Sequence, residues 1–186
     1  MNMKKTIAIL LVLAVVMTGL FAAPPTAGDA TLTLNGKVGA VLKHGLSDST
    51  MGVESIKDAA LYTPGATSEK VLFDAESVKE NVKVFYSYMT NWKGTVTATA
   101  KFNPLASADV DTKVGYTVKI GADTPTAVAS SDANKAIVLF NGVSTGTAGF
   151  AGAEKELVFN ADAADYKAAA AADNYTATVT FEIAAN

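Results

Sequence analysis

The stretch from Asn174 to Ile183, N-Y-T-A-T-V-T-F-E-I, alternates without a break. Tyr175, Ala177, Val179, Phe181 and Ile183 are apolar, while Thr176, Thr178, Thr180 and Glu182 are polar. A period of two built from β-branched and aromatic residues suits a strand with one face in a core and the other in water. A second run of this kind lies near the other end of the chain, where the even positions from 30 to 42 are Ala30, Leu32, Leu34, Gly36, Val38, Ala40 and Leu42. Asn35-Gly36 inside it would ordinarily signal a type I′ hairpin. A two-residue loop there would set Leu34 against Lys37 and Thr33 against Val38, mixing polar and apolar on both faces. One long strand, bulged at Gly36, keeps the apolar residues together and is the expectation. The rest of the chain is expected to be organised around these two strands.

Between them, Ser47 to Glu69 is rich in Ser, Thr, Gly and Asp and carries Pro64-Gly65. It reads as loop with a short edge strand around Ala59 to Tyr62. Strands are expected at Val71–Phe73, at Asn81–Met89 with Val82, Val84, Tyr86 and Tyr88 on one face, and at Thr95–Phe102 with Val96, Ala98, Ala100 and Phe102 inward. Thr90 to Gly94 forms the turn between the last two. Lys113–Ile120, Ala136–Phe140 ending at the Asn141-Gly142 turn, and Glu156–Phe159 follow. Ala161 to Ala172 is the one helical candidate, with Asp162 as its cap and alanine, the best helix former, along its length. About eight short strands with Gly- and Asn-rich turns predict an all-β chain, a single antiparallel immunoglobulin-like β-sandwich over residues 29–186.

Residues 1–28 stand outside that domain. Lys4 and Lys5 precede the uninterrupted apolar run Ile7 to Met17, and small residues follow. This is the pattern of a secretory signal peptide, short against the roughly 20 apolar residues a membrane span needs. An uncleaved anchor is the alternative. Cleavage after Ala22 or near Ala27-Gly28 leaves 13 lysines against 18 acidic residues, and no arginine or cysteine. The product is a mildly acidic, exported, bacterial-type protein, expected in the periplasm, at the cell surface or outside the cell, with no membrane insertion after cleavage. Without cysteine there is neither a disulfide framework nor a thiolate site. Acidic balance and the lack of arginine argue against nucleic acid and phosphorylated ligands.

Few residues suggest chemistry. Gly142-Val143-Ser144-Thr145-Gly146 matches a G-x-S-x-G nucleophile elbow, but that motif needs a helix directly after the serine and a later histidine. Only His44 is present, upstream, and Gly149 and Gly152 follow instead of a helix. A Gly-rich turn is the better reading. One imidazole without further ligands is a poor zinc site, so His44 is expected on an exposed loop. The acidic pairs Asp109/Asp111 and Asp162/Asp165 lack the spacing of a calcium loop and read as solvated carboxylates. No catalytic residue, cofactor or metal is therefore expected. Tyr86 and Tyr88 share a face with Val82 and Val84, which points to core. Trp92, beside Asn91 and Lys93 in a turn, is left as the candidate for a ligand face. Asn174-Tyr175-Thr176 fits a glycosylation sequon, which carries little weight in a bacterial setting.

Three stretches together resemble the chaperone–usher pilins of the CS1 type and the related spore-coat-protein-U-like domains. They are D-A-T-L-T-L-N-G-K-V after the signal peptide, the middle V-F-Y-S-Y-M-T-N-W-K-G-T-V-T-A-T-A, and the closing D-N-Y-T-A-T-V-T-F-E-I-A. The likeness covers about a third of the mature chain. It implies an incomplete sandwich that takes a strand from the next subunit. Ala30, Leu32, Leu34 and Val38 would be donor residues, and Val179, Phe181 and Ile183 part of the accepting groove. The function expected on that basis is an exported structural or adhesive subunit whose partners are other copies of itself or related envelope subunits. The alternative is a self-contained secreted module that binds a carbohydrate or protein ligand.

Overall fold

Antiparallel pairing accounts for every ladder between the described strands. The structure, a computed structural model, describes residues 38–65, 69–144, 149–172 and 174–186. In chain order its elements are β1 (Leu42–Ser47), α1 (Val53–Lys57), β2 (Val82–Thr90), β3 (Thr95–Phe102), β4 (Leu105–Ala106), β5 (Lys113–Val114), β6 (Tyr116–Ile120), β7 (Thr126–Val128), β8 (Lys135–Ser144), β9 (Ala151–Ala161), α2 (Ala163–Ala168) and β10 (Thr180–Ala185). They form a five-stranded sheet in the order β1-β2-β9-β6-β7, a three-stranded sheet in the order β10-β3-β8, and a β4–β5 ribbon. The described residues are all-β in character, as expected, with two brief helices among them.

Alternation in the sequence becomes alternation in burial. Along β3, Val96, Ala98, Ala100 and Phe102 are fully buried and Thr95, Thr97, Thr99 and Lys101 are half-exposed. The apolar faces of the two sheets share one core. Val84, Tyr86 and Tyr88 of β2 join Tyr116, Val118 and Ile120 of β6 and Leu157 and Phe159 of β9 on one side. Phe140 of β8 packs edge-on against Tyr88 at 5.0 Å, and Phe181 of β10 stacks on Tyr86 at 4.9 Å, from the other. Such ring pairs add to the area buried, which at about 25 cal/mol per Å² dominates the stabilisation.

β2 is buried on both faces from Tyr86 to Thr90. A second small core explains why: Ile56 of α1, Tyr62 and Met89 cover the outer face of the five-stranded sheet there, with Val41, Met51 and Phe150 at its rim. Gly152 of β9 lets this happen, since a Cβ there would strike Ile56 and the carbonyl of Tyr88. Its polar groups are satisfied locally. The Tyr62 hydroxyl donates to the Ser87 carbonyl at 3.0 Å, and Thr90 Oγ1 donates to the Val41 carbonyl at 2.8 Å. Glu154 of β9 accepts from Thr50 Oγ1 at 2.5 Å and from the Met51 amide at 2.9 Å.

Several boundaries differ from the sequence reading. No strand forms at 59–62, because α1 and a turn carry the chain inward to place Tyr62. Val71–Phe73 contributes only an isolated bridge, Phe73 to Val78. The 113–120 run breaks at Gly115, whose amide donates to the Asp165 carboxylate at 2.9 Å while its carbonyl accepts from the Asp162 amide at 2.9 Å. β8 runs on through Asn141-Gly142 as an irregular strand rather than stopping at a turn; the register shifts twice along it and Gly142 takes φ 58°. β9 is 11 residues long where four were expected. Its charged residues hid it. Lys155 reaches to 5.9 Å from the Phe140 ring centroid, and Glu156 pairs with Lys83 at 2.7 Å. Asp162 caps α2 as expected, accepting from the amides of Ala164 and Asp165. Both terminal strands also change, in ways that shape the site.

Candidate functional site: the open edge between the sheets

β10 starts at Thr180, not Asn174. Upstream, Thr176 makes one bridge to Ala106, and Tyr175 turns away to pack its ring against Phe73 and donate to the Ala170 carbonyl at 2.7 Å. What remains of the alternation, Phe181, Ile183 and Ala185, pairs with Ala100, Ala98 and Val96 of β3. The end of this ladder is closed by the mutual backbone bonds of Thr95 and Asn186, both 2.9 Å. β10 is the last strand of its sheet, so one side of its backbone has no ladder partner among the described residues.

At the other terminus the ladder begins at Leu42. Residues 39–41 are held instead by the β2–β3 turn. Asn91 donates from its side-chain amide to the Gly39 carbonyl at 2.7 Å and accepts from the Val41 amide at 2.6 Å. The expected donor residues Ala30, Leu32 and Leu34 lie outside the described residues, whereas Val38 is described and is 85% exposed. β1 is the outer strand of the five-stranded sheet, paired only with β2.

The two outer strands, β1 and β10, flank the same side of the core. Across the β1–β2 ladder Leu42 faces Thr90, His44 faces Tyr88 and Leu46 faces Tyr86, so these three β1 residues share the inner face with the buried tyrosines. Tyr86 then stacks on Phe181. Residues on the inner face of a sheet should be covered by the opposite sheet. Here the opposite sheet ends at β10, and Leu42 is 38% exposed, His44 is exposed, and Leu46, Phe181, Ile183 and Ala185 are only half-buried. The result is an apolar cleft along this side of the core, between β1 and β10. Val179, the third expected acceptor residue, is half-buried against the core just before β10.

His44 is the polar feature of this cleft. The sequence reading put it on a loop, but it sits within β1, with Nδ1 3.0 Å from the Tyr86 hydroxyl and the two rings edge-on at 5.8 Å. Partial burial holds its pKa below the ordinary 6.5. Burial pushes the Tyr86 phenol well above its usual range, so it stays protonated. Alternation alone could have flagged His44, since it occupies an even position between Leu42 and Leu46.

The remaining candidates are dispersed. Trp92 is 46% exposed in its turn, as expected, and Tyr86 and Tyr88 are buried in the core. The backbone at Ser144 is strand, paired with Thr95. Asp162 and Asp165 are committed to the α2 cap and to Gly115. Among the described residues no group of three or more His, Asp or Glu side chains is placed to hold a metal ion, and no helix is long and apolar enough to cross a membrane. No protein-family model, curated protein or solved structure matches this chain.

Proposed function

We propose that this chain is an exported structural or adhesive surface subunit, built as an immunoglobulin-like sandwich short of one strand, and that copies join when the alternating segment Ala30–Val38 of one enters the open edge of the next. The observation that carries this reading is the exposure of Leu42 and His44 on the inner face of β1, where the three-stranded sheet ends too soon to cover them. An unpaired strand edge beside exposed apolar side chains is an aggregation hazard in an exported protein unless something occupies it. An entering strand would bond the free backbone of β10 and lay alternate side chains into the cleft, the arrangement of β-strand addition. Each Leu so buried contributes about 1.5–3 kcal/mol. The signal-like residues 1–28 supply the export route, and no catalytic residue is assigned.

The test compares the full-length chain with a variant lacking Asp29–Val38, by size-exclusion chromatography with light scattering. The full-length chain should form concentration-dependent ladders. The deletion should stay monomeric and bind a synthetic 29–38 peptide. A full-length chain that stays monomeric at high concentration overturns the proposal. In that case the half-exposed Trp92 beside Asn91 and Lys93 favours the second reading, a secreted module binding a carbohydrate or protein through that turn.

A further inference from the structure

At the β7 end of the five-stranded sheet, away from β1, the surface holds a hollow of about 400 Å³. Three segments distant in sequence build it. They are 111–113 leading into β5, Ser130 and Ser131 just after β7, and Asp165, Ala168 and Ala169 at α2. Gly115 brings them together. A Cβ there would fall 2.8 Å from the Val128 carbonyl oxygen, 2.9 Å from Asp165 Oδ2 and 3.2 Å from the Ser130 amide nitrogen, so a side chain would force the segments apart. With glycine in place, the Gly115 amide donates to Asp165 at 2.9 Å and fixes that carboxylate. Thr112 is fixed as well. Tyr175 gives its hydroxyl proton to the Ala170 carbonyl at 2.7 Å, so the Thr112 hydroxyl, 2.8 Å away, donates to Tyr175 and itself accepts from the Ala170 amide at 3.2 Å.

The other polar groups of the hollow are unpaired. Among the described residues, the side chains of Asp111, Lys113, Ser130 and Ser131 make no hydrogen bond or ion pair, although an ammonium and two carboxylates line the same space. Elsewhere on this surface lysines take a nearby carboxylate: Lys79 pairs with Asp74, Lys83 with Glu156 and Lys135 with Asp132. Here the fold holds the opposite charges apart, each free to bond a third group.

We propose that this hollow binds a neutral saccharide unit. The lining narrows the ligand by elimination. Two carboxylates repel a phosphate or other anion, and the Lys113 ammonium repels a metal ion or a simple amine. No group of three or more His, Asp or Glu side chains is placed to hold a metal among the described residues. Only Ala168 and Ala169 offer methyl surface, too little to hold an apolar ligand. A sugar hydroxyl both donates and accepts. It can donate to Asp111 or Asp165 and accept from Lys113, while Ser130 and Ser131 serve in either role. Bonds with one ionised partner are the stronger kind. The alanine methyls meet the C–H face of the ring. The volume lies toward the small end of the range for binding sites, roughly 300–1,000 Å³. Asp165 and Thr112 are in place before binding, which reduces the ordering the ligand must impose. The site is complete in one chain, and it stands whether or not copies assemble.

The experiment uses ligand-observed saturation-transfer NMR on the full chain. Galactose, mannose, N-acetylglucosamine, lactose and chitobiose are added singly, with Ca²⁺, inorganic phosphate and glycine as competitors. At least one saccharide should bind saturably and resist all three competitors. Asp111→Asn and Lys113→Met should each weaken it about tenfold, the loss expected for one hydrogen bond to a charged group. Ala168→Trp fills the hollow from an exposed position and should abolish binding with thermal unfolding unchanged. Trp92→Ala should leave binding intact. A panel without a binder, displacement by any competitor, or binding that survives Ala168→Trp but is lost in Trp92→Ala overturns the assignment. The variant lacking Asp29–Val38 should bind as the full chain does, so failure of strand complementation and failure of this site are read separately.

Discussion

β7 and β1 are the two outer strands of the same sheet, and they have opposite fates. Val128 on β7 is 1% exposed, while Leu42 on β1 is 38% exposed, although both side chains point to the inner face. On the β7 side the core also takes in Leu105 of β4 and Val114 of β5, and Gly115 locks the neighbouring backbone to α2 through Asp165. On the β1 side nothing among the described residues plays that part. Identical chemistry, an aliphatic residue on an outer strand, is structural at one edge and available at the other. The difference lies in what the intervening sequence supplies to cover it.

The largest expected effect tests that contrast with one residue type. Phe102 is fully buried at the end of β3 and Phe181 is half-buried at the cleft. Phe102→Ala should cost about 3–5 kcal/mol in urea unfolding of the unassembled protein. Phe181→Ala should cost about 1–2 kcal/mol, from the partial area and the stack on Tyr86. Equal losses would mean that the β10 edge is already covered within the single chain.

A polar substitution sharpens the same comparison at smaller scale. Val128→Thr places a hydroxyl in the closed side of the core and should lower stability by about 1–3 kcal/mol. Leu42→Thr, on the open side, should change it by less than about 0.5 kcal/mol. In assembled material the order should narrow, because a seated strand would bury Leu42 too. A Leu42→Thr variant as damaging as Val128→Thr in the monomer would contradict an open edge.

How much of this was legible beforehand depended on which neighbour each residue answers to. β3 was read residue by residue because both of its faces obey one rule, apolar inward and Thr outward. β9 was largely missed because Glu154, Lys155 and Glu156 each serve a partner distant in sequence: Thr50, Phe140 and Lys83. No local pattern contains those partners. The closing strand was placed too early because Tyr175 keeps the alternation but follows Phe73 and Ala170 instead of β3. Phe181 and Ile183, which the alternation set on one face, lie on the face of β10 that packs on the core. His44 was misplaced because a lone histidine before a glycine resembles a loop, although its even position between Leu42 and Leu46 already set it on their face.

The smallest effect concerns acid, and its sign distinguishes the cleft from the surface. His44 has a pKa depressed by partial burial, so the folded protein prefers the neutral ring more than the unfolded chain does. Its stability contribution is therefore intact above the ordinary 6.5 and declines as the pH falls from there toward the lower folded value. Asp74, at the surface, is depressed chiefly by its bond to Lys79, with further bonds from the Glu76 and Ser77 amides. Its contribution is present above the ordinary 3.8 and is lost only below that. Unfolding measured on monomeric protein should thus show a shallow decline beginning near neutrality, which His44→Gln removes, and a separate acid limb that His44→Gln leaves in place. Because His44 is exposed in the open cleft, the first decline should be slight in the monomer and steeper once an occupying strand buries the ring. A decline of the same depth with and without the strand would mean that nothing is seated over His44.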